Sequence, residues 1–478
     1  MERSFQKTKI VATVGPACSS YDKLLELVNE GVDVFRLNFS HGTHDDHKEV
    51  IDNINKINEL FPFKIAMLGD LQGPKLRIGK VENNSITVED GDELVLTNEE
   101  CLSTKEKIFI NYPSFCDDIE VGESIMMDDG RVELVVVELL DDVCAKARVI
   151  NGGELSSNKG INLPNTKISL PSLTKKDLID VAFAAEQRLD WVALSFVRDP
   201  KDVIELKELL FNYGSEAKVI AKIEKPQVTK KKVLRDVIVA SDGIMVARGD
   251  LGVELPVEQV PMIQKEIIRM CIHRAKPVII ATQMLDSMTT RTRPNRSEIT
   301  DVANAVLEGA DALMLSGETA VGKHPNKVIR TMANIITEVE KEDEVYNRNL
   351  SPQSHSPSFF SDALCYSTCN LAEEIKADAL IGTTQSGYTG FMLSSYRPKV
   401  PLYIFTKTKS LVHQLSLSWG VKAFFYDEEN SLDEIISDQI NILKGHGVLS
   451  EGDVVCSTGS TPVQDHLPTN LTKITRVK

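Results

Sequence analysis

Short apolar runs rich in β-branched residues recur along the first two-thirds of the chain, and each ends in small or polar residues. They are KIVATVG (9–15), VFRLNFS (34–40), IAMLGD (65–70), WVALSF (191–196), VIAKIE (219–224), GIMVARGD (243–250), PVIIAT (277–282) and ALMLSGE (312–318). Continuous apolar runs suit strands buried on both faces, as in parallel sheets. Segments of helical periodicity separate most of them, among them VPMIQKEIIRMCIHRA, DVANAVLEG and YDKLLELVNE, the last closed by Gly31 as a helix-stop residue. Eight such units predict a (β/α)8 TIM barrel, with a doubly wound open sheet as the main rival.

The third and fourth runs lie too far apart for one connecting helix. Between them SITVEDGDELVLT, KIFINY and IMMDDGRVELVVVELL alternate polar and apolar residues around DG and DDG turns, a hairpin pattern. This predicts a β-barrel-like lid domain over 74–171, inserted into a barrel loop, and leaves 1–73 and 172–348 for the barrel. NRNLSPQSHSPS (347–358) reads as a linker. Beyond it DALCYSTCNLAEEIK, ALIGTT, VPLYIFT, VKAFFYD, DVVCST and TKITRVK predict a C-terminal α/β open-sheet domain over 349–478.

Composition narrows the function class. A chain of 478 residues has room for three such domains and for cores that need no covalent staples. The net charge, 54 − 70 = −16, makes nucleic acid and anionic membranes poor partners. An anionic substrate would need a local cationic pocket or metal ions. The eight cysteines are scattered without CxxC pairs, as reduced thiols of a cytoplasmic protein would be. No apolar run reaches membrane length, and with a strand-like segment so early no signal peptide is expected.

Candidate chemistry sits at the ends of the runs. Alternation in a strand puts Arg36, Asn38 and Ser40 on one face, and likewise Lys222 and Glu224; in VARGD, Asp250 follows Arg248 at the same parity. Asp70 and Thr282 close their own runs. Barrel active sites lie at the C-terminal strand ends, so these residues are expected to converge on one rim. A structural ion-pair network at a barrel mouth is the bland reading, adequate for any single one of them. Together they favour phosphoryl or enolate chemistry: Glu224 and Asp250 as hard oxygen ligands for Mg²⁺ or Mn²⁺, Lys222 and Arg36 as charge neutralisers for a phosphoryl group in transfer. The segment ARGDLG adds backbone N–H groups ahead of a helix, a carboxylate or phosphate cradle that includes Gly249. Three decoys are set aside. GETAVGK (317–323) continues with His324 where a P-loop needs Ser or Thr. His41, His44 and His47 do not share one helix face, and Cys365 with Cys369 reads as core packing.

With these motifs assembled, the chain resembles the pyruvate kinase family along nearly its whole length. The resemblance rests on TKIVATVGPA, FRLNFSHG, GDLQGPKLRIG, MDDGRVEL, NKGINLP, AKIEKP, GIMVARGDLGVE, ATQMLDSM, RPNRSEITDVANAV and LMLSGETA, in the family's order. It implies transfer of a phosphoryl group from phosphoenolpyruvate to ADP. In that frame Lys222, Arg36, Arg77 and Thr282 are catalytic, Glu224 and Asp250 hold Mg²⁺, and Gly249 and Asp250 help bind substrate. His41, Asn38, Arg77 and Lys159 lie on the nucleotide side. Asn38, Ser40 and Asp70 match the family's monovalent-cation pocket. Leu71, Gln72 and Lys75 depart from the K⁺-requiring pattern and resemble the K⁺-independent subgroup, so Lys75 is expected to replace K⁺. The resemblance also implies a homotetramer and a regulatory C-terminal domain. There TTQSGYTG points to Thr384, Ser386, Gly387 and Thr389 as an effector phosphate site. Tyr388 and the loop STGSTPVQDH lack the arginine or tryptophan of sugar-bisphosphate-activated members, which leaves a sugar monophosphate or AMP as the expected effector. Two rivals stay open: another Mg²⁺ barrel acting on phosphoenolpyruvate or pyruvate, and a catalytically silent metabolite-binding protein.

Overall fold

A computed structural model describes residues 6–346, 351–354, 356–428, 430–462 and 467–478. Eight parallel strands close into a barrel: β1 (Lys9–Thr13), β2 (Val34–Asn38), β3 (Ala66–Asp70), β4 (Trp191–Leu194), β5 (Lys218–Ile223), β6 (Gly243–Ala247), β7 (Val278–Ala281) and β8 (Ala312–Leu315). Each neighbours the next, and β8 pairs with β1, so no edge remains and the doubly wound alternative is excluded. All eight coincide with the predicted runs. Their outward side chains pack under the helices, while Val34, Ala66, Leu68, Trp191, Ile220 and Met245 fill the interior. The helix Tyr21–Glu30 stops at Gly31, whose φ of 129° suits a residue without a Cβ.

The chain leaves the barrel after β3 and builds a separate seven-stranded sheet with its own core. Its first strand, Leu76–Arg77, pairs with Gly160–Asn162, and its last is Lys107–Phe109. Ile78 and Ile110 form an antiparallel bridge across these two edges, and Gly79 N–H donates to Phe109 O at 2.9 Å. The sheet thus nearly closes on itself, as a barrel-like module would. The DDG turn joins a true hairpin, Ser124–Met127 with Val132–Leu139. The DG turn does not: Ser85–Val88 pairs with Gly153–Ser156 in a second, two-stranded sheet, whereas Glu93–Thr97 pairs with Cys144–Asn151. A turn signal marks where the chain reverses but does not choose the partner strand.

Of the predicted linker, residues 347–350 and 355 lie outside the described residues; 351–354 and 356–358 carry no helix or strand. The C-terminal sheet comprises β9 (Ala379–Thr383), β10 (Leu402–Thr406), β11 (Val421–Phe425), β12 (Val454–Gly459) and β13 (Leu471–Arg476), ordered β11-β10-β9-β12-β13. Only β13 runs antiparallel. This domain covers the N-terminal end of the barrel. Trp191 Nε1 donates to Gln414 O at 3.2 Å, Arg397 pairs with Asp311 at 2.9 Å, and Leu417 joins the barrel's interior cluster. The opposite, C-terminal end is left for chemistry. Among the described residues no helix is long and apolar enough to cross a membrane.

Candidate active site

Strand alternation carries Arg36, Asp70 and Lys222 into the barrel mouth from β2, β3 and β5, with Glu224 one residue beyond β5. Asp70 is the hub. Its Oδ2 accepts from Arg36 Nε at 2.7 Å, and its Oδ1 lies 3.3 Å from Lys222 Nζ. Arg36 Nη1 also donates to Thr13 Oγ1 at 3.0 Å, so its guanidinium is held from two sides. Lys222 Nζ lies 2.9 Å from Glu224 Oε1 and donates to Ser195 Oγ at 2.8 Å. Burial works against the charge on Lys222, but Asp70 and Glu224 outweigh it and hold its pKa above the ordinary lysine value. Burial likewise opposes ionisation of Asp70, yet Lys222 and Arg36 pull its pKa below the usual carboxylate range. For Glu224, burial and then the charge of Asp250 prevail over Lys222, and its pKa is pushed up.

Asp250 reaches this cluster by another route than expected. β6 ends at Ala247, and Arg248–Glu254 form a short helix, so Asp250 sits in a helix's first turn and strand parity does not apply. The N–H cradle anticipated ahead of the helix is part of that same turn, and Gly249 N–H already donates to Thr282 Oγ1 at 2.7 Å. Arg248 locks the turn: its guanidinium lies 2.7 Å from Asp301 and donates to Thr282 O at 2.7 Å. Thr282 has φ = 70° and Gln283 φ = 54°, an uncommon backbone for a β-branched residue and its neighbour. Phe196, after β4, has φ = 55°, and its N–H donates to Glu224 Oε2 at 2.6 Å. Such strained positions gather at functional sites. Ser195 and Arg248 were not singled out in the sequence as site residues. Ser195 is the polar residue inside the run WVALSF, directly after β4, but its place beside Lys222 follows only from β4 lying next to β5.

Other expected residues are placed as follows. Asn38 is in register with Asp70, and its Oδ1 accepts from Ser40 N–H at 3.2 Å. Leu71 is buried, its carbonyl accepting from Ser195 Oγ at 2.6 Å. His41 is exposed, and its carbonyl meets the His47 ring at 2.9 Å, while His44 stacks on Phe183. In the inserted domain Arg77 ends the strand Leu76–Arg77 and Lys159 precedes its partner strand Gly160–Asn162; they are bonded to Asn158 O (2.9 Å) and Asp128 (2.6 Å) rather than to the barrel cluster. The stem of Lys75 lies over Gly160, and its ammonium makes no ion pair among the described residues. Gly317–Ala320 forms a short helix whose Glu318 accepts from Leu285 and Ser316 N–H groups, a structural use for the P-loop look-alike. Cys365 and Cys369 are buried in the C-terminal core.

The donor set fits a hard divalent cation. Glu224 Oε1 is sealed from solvent and, among the described residues, accepts no aligned hydrogen bond, with the Lys222 ammonium 2.9 Å away. Among the described residues no three His, Cys, Asp or Glu side chains converge as a closed metal cage. Two carboxylates with the remaining positions left to water and substrate oxygens is the arrangement Mg²⁺ favours.

Comparison with known proteins agrees with the chemistry. The family model described as pyruvate kinase, barrel domain, matches residues 5–329, and that of the pyruvate kinase alpha/beta domain matches 362–475. The chain belongs to the pyruvate kinase family. The pyruvate kinase of Geobacillus stearothermophilus is 41% identical over 474 residues, covering 98% of this chain and 80% of its own length. That of Mycobacterium intracellulare is 40% identical, with 99% and 98% covered. A crystal structure of a pyruvate kinase from Cryptosporidium parvum superposes with a TM-score of 0.92 at 32% identity, covering 99% of this chain and 96% of that one. The chain is accordingly a phosphotransferase enzyme. Pyruvate kinases generally use Mg²⁺, and membership implies phosphoenolpyruvate and ADP as substrates.

Away from the barrel mouth, the C-terminal domain contains a cavity of about 1000 Å³ beside the ends of β9 and β10. Thr384, Ser386 and Thr389 line it. Two of these hydroxyls are engaged internally: Thr384 Oγ1 accepts from Gly387 N–H at 3.1 Å, and Thr389 shares a 2.7 Å bond with Thr469. Gly387, at φ = 90°, precedes the helix Tyr388–Ser395. Tyr388 is bonded through its hydroxyl to Asp362. Among the described residues Lys407 is the one basic residue on the wall, which also carries Asp427 and Glu428. Of the loop STGSTPVQDH, residues 463–466 lie outside the described residues.

Proposed function

We propose that the barrel-mouth cluster performs the family's reaction with the following division of labour. Glu224 and Asp250 hold Mg²⁺, with Gly249 beside them at the substrate. When bound, Mg²⁺ supplies positive charge at the substrate's oxygens. Lys222 and Arg36 spread compensating charge over the phosphoryl oxygens as the bond to the enol oxygen breaks and that to the ADP β-phosphate forms. Asp70 keeps both cations aimed inward. Arg77, Lys159, His41 and Asn38 meet the nucleotide, with Arg77 and Lys159 brought by the inserted domain as it covers the mouth and excludes water. Thr282 Oγ1 stands at the carbon of the enolate that takes up a proton to become pyruvate. The observation that carries this reading is one ammonium, Lys222 Nζ, within 3.3 Å of Asp70 and 2.9 Å of Glu224 at the strand ends where barrel chemistry occurs.

Three finer readings accompany it. Turnover is K⁺-independent, because both Asp70 oxygens already face cations and Lys75 brings an uncommitted positive charge to the segment leading into the lid. The C-terminal cavity takes a sugar monophosphate or AMP through Thr384, Ser386, Gly387 and Thr389. A bisphosphate is disfavoured because, among the described residues, the cavity wall offers one basic side chain, Lys407, and two carboxylates, Asp427 and Glu428. The working form is a cytoplasmic homotetramer. One experiment tests the core: pyruvate formation from phosphoenolpyruvate with and without ADP and Mg²⁺, repeated with KCl at constant ionic strength and with each effector at low substrate. Pyruvate release without ADP would overturn phosphoryl transfer to nucleotide, and manyfold activation by KCl would overturn the role of Lys75.

A further inference from the structure

A second buried charge cluster lies behind the first and is used by none of the roles above. Glu254 ends the helix Arg248–Glu254 that carries Asp250, and its side chain has no solvent exposure. Lys225, the residue after Glu224, donates to Glu254 Oε1 at 2.5 Å and is itself 7% exposed at the side chain. The third member comes from the inserted domain: Asn162 Nδ2 donates to the same oxygen at 2.8 Å. Glu254 Oε2 is buried and has no hydrogen-bond partner among the described residues, so both of the bonds described for this carboxylate converge on one atom. The inserted domain rests on the same helix at a second point, where the Asp128–Gly130 turn crosses Val253; a Cβ added to Gly130 would lie 3.6 Å from a Val253 methyl.

Buried charges are costly unless paired, and breaking such a pair is more costly still. The Lys225–Glu254 pair therefore fixes a reference point between the two segments that carry Glu224 and Asp250. Asn162 is held to that point, and it belongs to the strand Gly160–Asn162 that pairs with Leu76–Arg77 and follows Lys159 directly. The position of Arg77 and Lys159 over the mouth is thus tied, through one amide, to the carboxylates below.

We propose that Glu254, Lys225 and Asn162 form a latch that sets the seat of the lid on the catalytic carboxylates, with Asn162 and Glu254 as positioning residues for the nucleotide side. This rests on the functional reading above and adds the link between lid and barrel. Substitution of Asn162 tests it without stranding a charge, because Asn162→Ala leaves the Lys225–Glu254 pair intact. The expected result is an ADP KM raised about tenfold, the size of one lost hydrogen bond to a charged group, with the phosphoenolpyruvate KM unchanged. Amide hydrogen exchange should quicken across 158–163 but not in β5. Asn162→Asp sets carboxyl against carboxyl, so its ADP KM should be worst at high pH and recover as pH falls and one proton is shared. Equal changes in both KM values, or no change in either with exchange unaltered, would overturn the latch. Wild-type protein that makes no pyruvate would instead overturn the functional reading, and the exchange measurement still decides the latch.

Discussion

Lys222 shows how one residue's surroundings set its chemistry. Buried alone, a lysine tends to lose its proton; between Asp70 and Glu224 it keeps it. It is therefore a permanent cation and not a general base. Lys222→Met removes the charge and leaves Glu224 and Asp250 to hold Mg²⁺. The expected outcome is a kcat lower by about 10²–10³-fold, the usual loss for one transition-state donor, with Mg²⁺ and phosphoenolpyruvate binding retained in direct titrations. Retained turnover would remove Lys222 from the reaction. At the other end of the barrel, Asp190 has the reverse environment. Burial pushes its pKa up to about 8, opposed only by a hydrogen bond from Met67 N–H. His413, 3.9 Å away, is driven down to about 4 by burial and by Lys64, so at neutral pH the two are both uncharged and not an ion pair. An acid whose folded pKa lies above its unfolded value of about 3.9 costs stability as pH rises. The unfolded chain releases the proton first, and stability falls from about pH 4 until it levels near 8. Asp190→Asn keeps an oxygen for Met67 and cannot ionise. Its melting temperature should exceed that of the wild type by a margin that widens from pH 5 to pH 8; parallel pH slopes for the two proteins would refute this.

At the scale of elements, the eight barrel strands were legible because continuous β-branched runs survive any register. The polar residues at their ends were legible because parity is local. Where local rules stop, legibility stops. VARGD reads as one strand, yet the chain turns helical at Arg248, because Arg248 finds Asp301 and Thr282 O only in that geometry. Those partners are 53 and 34 residues away, invisible to a window of neighbours. The same holds for Ser85–Val88, whose partner strand lies beyond the hairpin that its turn suggests. Ser195 became a site residue only once β4 stood beside β3 and β5. The Arg248 turn makes a direct prediction. A lysine cannot span Asp301 and the Thr282 carbonyl as a planar fork does. In Arg248→Lys the strained Thr282 backbone should relax and kcat fall about 10- to 100-fold, the scale of small misplacements at a reacting centre. An unchanged kcat in steady-state assays would mean that other contacts hold Thr282 in place.

For the whole molecule, the C-terminal domain is a structural plug before it is anything regulatory. The barrel interior is apolar down to its N-terminal mouth, and Leu417, fully buried, closes it from outside against Val11, Ala66 and Trp191. Polar contacts ring this plug: Lys9 Nζ donates to Val421 O at 2.9 Å, and Arg397 donates to Gly309 O at 2.8 Å while pairing with Asp311. The chain has two tryptophans, and both stand at this seam, Trp191 on the barrel side and Trp419 on the other, each almost wholly buried. Intrinsic fluorescence therefore reports on the seam. Leu417→Ala would leave a cavity at the barrel floor without touching any residue of the mouth. Such truncations cost about 2–5 kcal/mol, so the urea midpoint followed by tryptophan emission should fall accordingly. If barrel and C-terminal domain share one cooperative unit, circular dichroism should lose helix at the same midpoint. A fluorescence change at lower urea than the helix loss would mean that the seam opens first, with the barrel standing without its plug.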